Sequence, residues 1–103
     1  MDIDYTDGIV HSLTASFTGA GAIVTENFGF DPKYIKLVNE TDRITHEWHE
    51  GMTAGTTLKT VAAGTRTLDL VGGDNAINVD GSEVTIAAAA AISAKQYRVL
   101  ALG

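Results

Sequence analysis

The residues with the most chemical potential lie together at His46-Glu47-Trp48-His49-Glu50. A zinc hydrolase of the His-Glu-x-x-His type places two imidazoles one helical turn apart, so that both reach one metal ion. Here the spacing is one residue short. On a strand, side chains alternate between faces, so His46 and His49 point in opposite directions and cannot chelate as a pair. A metal-dependent hydrolase using His46, His49 and a carboxylate would need further ligands from other strands or subunits. A plain strand explains the segment better, with Ile44, His46 and Trp48 on one face and Thr45, Glu47 and His49 on the other.

The remaining candidates are weaker. Trp48 is the only tryptophan, and a large rigid aromatic can stack on a sugar or anchor an interface. In a chain this small it reads first as core or subunit interface. Gly72-Gly73-Asp74, Gly51-Met52-Thr53 and Gly19-Ala20-Gly21 open no helix ahead of a Lys-Ser/Thr pair, so none is a phosphate loop. Asp69, Asp74 and Asp80 do not match the spacing of an EF-hand calcium loop. Serines, threonines and aspartates are too abundant for any triad to stand out. The sequence therefore predicts a non-enzyme with no catalytic residue, no metal and no cofactor.

Composition narrows the partners. A chain of 103 residues fits one domain with a thin core, and small chains often gain buried area by oligomerising. Seven basic residues against 13 acidic ones give a formal net charge of -6, which argues against nucleic acid and anionic membranes. There is no cysteine, hence no disulfide framework or thiolate metal site. The first residues lack the basic and apolar regions of a signal peptide. No apolar run approaches the ~20 residues that span a bilayer. The expectation is a soluble protein.

The elements that must position these residues are mostly strands. Residues 1–8 are acidic and end in a turn signal, which reads as an N-terminal arm or frayed edge ahead of a single β domain over 9–103. Residues 9–18 alternate cleanly, with Ile9, His11, Leu13, Ala15 and Phe17 predicted inward. Gly19-Ala20-Gly21 breaks that strand, and residues 22–28 read as a short second one. Pro32 precedes a strand over 34–39, with Ile35 and Leu37 opposed to Tyr34, Lys36 and Val38. Residues 39–42 turn the chain into a partner strand over 43–50. Residues 51–64 read as a long loop with at most a short strand. Residues 65–70 alternate weakly, with Leu68 and Leu70 inward. Gly72-Gly73-Asp74-Asn75 and Asp80-Gly81 are turns around a brief strand at Ala76, Ile77 and Val79. A further strand reaches Ile86, followed by a small-residue loop or one helical turn. Residues 97–102 close the chain as a strand whose two faces are both fairly apolar, which predicts a central place or a face covered by a neighbour. The fold class is all-β: a small antiparallel β-sandwich or barrel-like domain with at most one short helical turn.

Two stretches carry a family resemblance. Phe28-Gly29-Phe30-Asp31-Pro32-Lys33-Tyr34-Ile35-Lys36-Leu37-Val38-Asn39, with Glu47-Trp48-His49-Glu50-Gly51-Met52 after it, resembles a strand–turn–strand pattern of small proteins encoded among the head genes of tailed phages. The ending Tyr97-Arg98-Val99-Leu100-Ala101 is similar to theirs as well. The chain lacks the longer central insertion of many such proteins, around residues 51–71. The resemblance implies a structural virion protein, a capsid decoration protein or a base for a head fibre or spike. It also implies a symmetric homo-oligomer, a trimer above all, on the capsid exterior after assembly in the host cytoplasm, bound to the major capsid protein or other virion proteins. For that role Asp2, Ile3, Asp4 and Tyr5 of the arm, Trp48, and the small residues Ala87, Ala88, Ala89, Ala90 and Ala91 are the candidate contacts. The competing reading is a β-sandwich module of a phage tail or fibre that binds carbohydrate or a host surface through Trp48.

Overall fold

Alternation decides the sheets. The computed structural model describes residues 2–6, 12–52, 56–69 and 77–103, with backbone alone at 2–6, 69 and 89. Ten strands follow in chain order: β1 (Asp2–Thr6), β2 (Ser12–Thr18), β3 (Val24–Asn27), β4 (Tyr34–Asn39), β5 (Ile44–His49), β6 (Thr57–Thr60), β7 (Arg66–Asp69), β8 (Ile77–Asp80), β9 (Glu83–Ile86) and β10 (Gln96–Leu102). A single 3-10 turn, Ala88–Ala90, is the helical content of the described residues. The protein is all-β, a small sandwich of two antiparallel sheets.

The larger sheet has seven strands in the order β1-β2-β10-β4-β5-β6-β7, and the smaller has three in the order β3-β9-β8. β10, last in the chain, inserts between β2 and β4. It therefore loses both edges to neighbours, as its two apolar faces predict. β4 and β5 form a hairpin in which Ile35 pairs with Trp48, Leu37 with His46 and Asn39 with Ile44. Those pairs lie on the face that meets the small sheet.

The core forms between the sheets. From the large sheet come Leu13, Ala15, Ile35, Leu37, Tyr97, Val99 and Ala101, and from the small one Ile77, Val84 and Ile86, all buried. Each fully buried Leu or Ile side chain is worth about 1.5–3 kcal/mol relative to exposure. Phe17 stacks on Tyr97 with ring centroids 5.0 Å apart. Trp48 packs partly buried against the same cluster.

Two glycines make connections that disfavour a side chain. Gly81 turns β8 into β9 with a φ of 61°, a left-handed conformation that costs an L side chain about 1–2 kcal/mol. Gly19 lies so close to the 91–92 backbone that a Cβ would stand 2.0 Å from the Ile92 carbonyl oxygen. Around it the link leaving β2 docks on the link entering β10, through Gly19 N to Lys95 O (2.9 Å), Ala94 N to Gly19 O (2.9 Å) and Gly21 N to Ala91 O (2.8 Å).

Residues 57–60 supply the short strand allowed within 51–64 and pair with 66–69, which extends the large sheet. One expectation changes. Leu68, predicted inward, is 64% exposed. It pairs with Leu58, which pairs with Glu47 on the outer face, so β7 is in the opposite register phase. Four residues with weak alternation do not fix a phase, and the neighbouring strand does. The segment 2–6 is an edge strand on β2. Ile9, His11, Leu70 and the Gly72–Asn75 turn signal lie outside the described residues.

Candidate functional site: the outer face of the large sheet

Three strands cannot cover seven. The large sheet turns one face to the core and leaves the other without a covering layer among the described residues. The ladder registers fix which residues lie there. One cross-strand row runs Thr14, Leu100, Lys36, Glu47, Leu58, Leu68. The next runs Ser16, Arg98, Val38, Thr45, Thr60, Arg66. A third holds Leu102, Tyr34 and His49. A solvated sheet face is ordinarily polar, yet this one carries Val38, Leu58, Leu68, Leu100 and Leu102.

The face has relief as well as apolar content. Over β2, β10 and β4 lies an open depression of about 340 Å³, lined by Thr14, Lys36, Val38, Arg98, Val99 and Leu100. Leu68 stands out on the far side, across β5. Charges lie between. Lys36 and Glu47 are direct cross-strand partners, but Glu47 Oε2 accepts a hydrogen bond from the Tyr34 hydroxyl at 3.0 Å, and Lys36 makes no ion pair among the described residues. Burial, helped by the Glu47 carboxylate, holds the Tyr34 phenol above its ordinary pKa. The Tyr34 ring also leans on His49, centroids 4.9 Å apart. Arg98 Nε bonds Glu40 Oε1 at 2.8 Å at the rim.

A second polar cluster lies at the inner end of the β4–β5 hairpin. Asn39 Oδ1 accepts from the backbone of Thr41 (3.1 Å) and Asp42 (3.0 Å) and so builds the turn. Its Nδ2 donates to Asp42 Oδ2 and to the Tyr97 hydroxyl. That hydroxyl also accepts from Ile92 N at 3.0 Å. Desolvation raises the Tyr97 pKa, and the Ile92 N–H bond offsets part of the rise. Beside it is a cavity of about 40 Å³ lined by Asn39, Ile44, His46, Lys59, Ala90, Ile92 and Tyr97. That is room for a water molecule or two and for no organic substrate.

The sequence-predicted residues fall in different places. His46 is buried and His49 exposed, on opposite faces of β5, so they do not meet. Among the described residues no three His, Asp or Glu side chains gather as metal ligands do. Asp2, Ile3, Asp4 and Tyr5 lie on the edge strand β1. Trp48 faces inward, away from the outer rows. Ala90 and Ala91 are buried in the chain's own core, whereas Ala87 and Ala88 remain half-buried. Sequence patterning foreshadows the apolar outer face only at Leu100 and Leu102, through the two apolar faces of residues 97–102. Comparison with protein-family models, curated proteins and solved structures finds no match to this chain. The fold and the outer face define the class: a small β-sandwich with one sheet face uncovered among the described residues.

Proposed function

We propose that the protein is a structural subunit of a particle and acts through protein–protein contacts, not through catalysis. The observation that carries this reading is the outer face, where five apolar side chains lie on a seven-stranded sheet beside Lys36, which makes no ion pair among the described residues. Apolar side chains on both sides of a charged centre, on one outer sheet face, suit an association surface. The resemblance of the Phe28–Asn39 and Glu47–Met52 stretches to phage head-gene products narrows the proposal to a virion component. It would sit on the capsid exterior as a decoration protein or head spike base, associating with itself and with the major capsid protein. Trp48 packs against the core, which counts against a sugar platform.

The test is mass spectrometry on gradient-purified particles from the strain that encodes the chain. A structural component co-sediments with the capsid at a fixed, near-stoichiometric copy number. Recovery only from the unassembled fraction would remove the virion reading.

A further inference from the structure

We propose that the outer face binds a second copy of this chain, sheet to sheet, about a two-fold axis that runs along the strands over the β4–β5 seam. The inference stands on the face itself and does not depend on the virion reading.

The register supplies the argument. A two-fold along the strand direction keeps each cross-strand row opposite the same row and exchanges the two sides of the seam. β4 then lies over the partner's β5, β10 over the partner's β6, and β2 over the partner's β7. In the central row, Lys36 comes opposite the partner's Glu47, and Glu47 opposite the partner's Lys36. The two ion pairs use a cation that makes none among the described residues of its own chain. In the same row Leu100 meets the partner's Leu58, and Thr14 meets the partner's Leu68.

Shape agrees with charge. The depression of about 340 Å³ lies over β2, β10 and β4. The exposed Leu68 of β7 and the half-buried Leu58 of β6 lie a matching number of strands away on the other side of the seam. Hollow and knob therefore exchange, as a two-fold interface requires. At one end of the seam Tyr34 comes opposite the partner's His49. An axis laid across the strands through the same row would instead set Lys36 against the partner's Lys36. The charges select the first arrangement and oppose the second.

The area is that of a small specific interface. At about 4.8 Å spacing, the β4–β5 overlaps run about 20 Å, whereas those of β10 and β2 with the partner's four-residue β6 and β7 run about 13 Å, so the projected area is roughly 450 Å². Side-chain relief raises the accessible area toward the ~600 Å² per partner at the lower end of specific interfaces. Two aligned, twisted sheets pack face to face in this manner inside ordinary sandwiches.

The experiment is light scattering coupled to size-exclusion chromatography on the full chain, from micromolar to millimolar concentration, with far-UV dichroism to confirm folding. The expected mass is twice the 10.8 kDa of one chain. Lys36→Glu and Glu47→Lys each set like charges together twice, and each is expected to raise the dimer dissociation constant at least roughly tenfold. Combining them restores both pairs in reversed sense and should return it to within about threefold of the parent. Leu68→Glu, at a position that is 64% exposed, keeps the fold and weakens the dimer by roughly tenfold or more. A monomer throughout, a trimer, a dimer indifferent to both single charge reversals or to Leu68→Glu, or a double reversal that fails to restore association would each overturn the proposal.

Discussion

His46 and His49 stand three residues apart on one strand and occupy different environments. His46 is 4% exposed beside Leu37 and Lys59, on the face the small sheet covers. His49 is exposed beside Tyr34, on the face without a cover. The same contrast runs across the whole large sheet. Its inner face is closed by the chain's own residues and owes its apolar content to folding. Its outer face carries Leu58, Leu68, Leu100 and Leu102 with no covering layer among the described residues. Inner residues should therefore control the stability of one chain, and outer residues its association.

The largest test of that division is Leu37→Ala, which removes a fully buried side chain and should cost about 2–5 kcal/mol in chemical unfolding. Leu100→Ala, on the half-buried outer row, should cost the isolated chain less than about 1 kcal/mol. Equal losses would erase the distinction between the faces. Gly19→Ala comes next. Its Cβ would meet the Ile92 carbonyl oxygen, a backbone atom that cannot swing aside, and a loss of about 1–3 kcal/mol is expected. An unchanged melting curve would show that the contact between the two links yields freely.

Tyr97→Phe probes the inner polar cluster. It leaves Ile92 N and Asn39 Nδ2 without their shared acceptor and should cost about 1–3 kcal/mol at neutral pH. The raised pKa gives the effect a pH signature. Folding favours the neutral phenol, so its contribution is complete below the ordinary tyrosine value of about 10 and is lost as pH climbs through the raised folded value. The parent should lose stability more steeply than Tyr97→Phe in an alkaline denaturation series. Tyr34 contributes its own alkaline slope to both proteins alike, since its pKa is raised too. The smallest effect belongs to Arg98→Gln. Its side chain is 70% exposed and, among the described residues, pairs only with Glu40, so a change within about 0.5 kcal/mol is expected in the same unfolding experiment. A larger loss would mean that the rim pair matters to the single chain.

By itself the sequence determined the strands with strong alternation. Leu13 and Ala15 on β2, Ile35 and Leu37 on β4, and Tyr97, Val99 and Ala101 on β10 all lie inward as their period of two requires. It determined the small-residue turn after Ile86 and the tight turn at Gly81, because alanine and glycine chemistry is local. It also set His46 and His49 on opposite faces, by parity alone. Only the tertiary structure decided the phase of β7, where four residues alternate too weakly to choose a face and pairing with β6 makes the choice. The same holds for strand order. Placing β10 between β2 and β4 depends on pairings such as Arg98 with Ser16 and Val38, which are distant in the chain and leave no local trace. The row that brings Leu100, Lys36, Glu47, Leu58 and Leu68 together is assembled from four strand pairings. Each residue looks ordinary in its own segment, and only their registration across the sheet makes a surface.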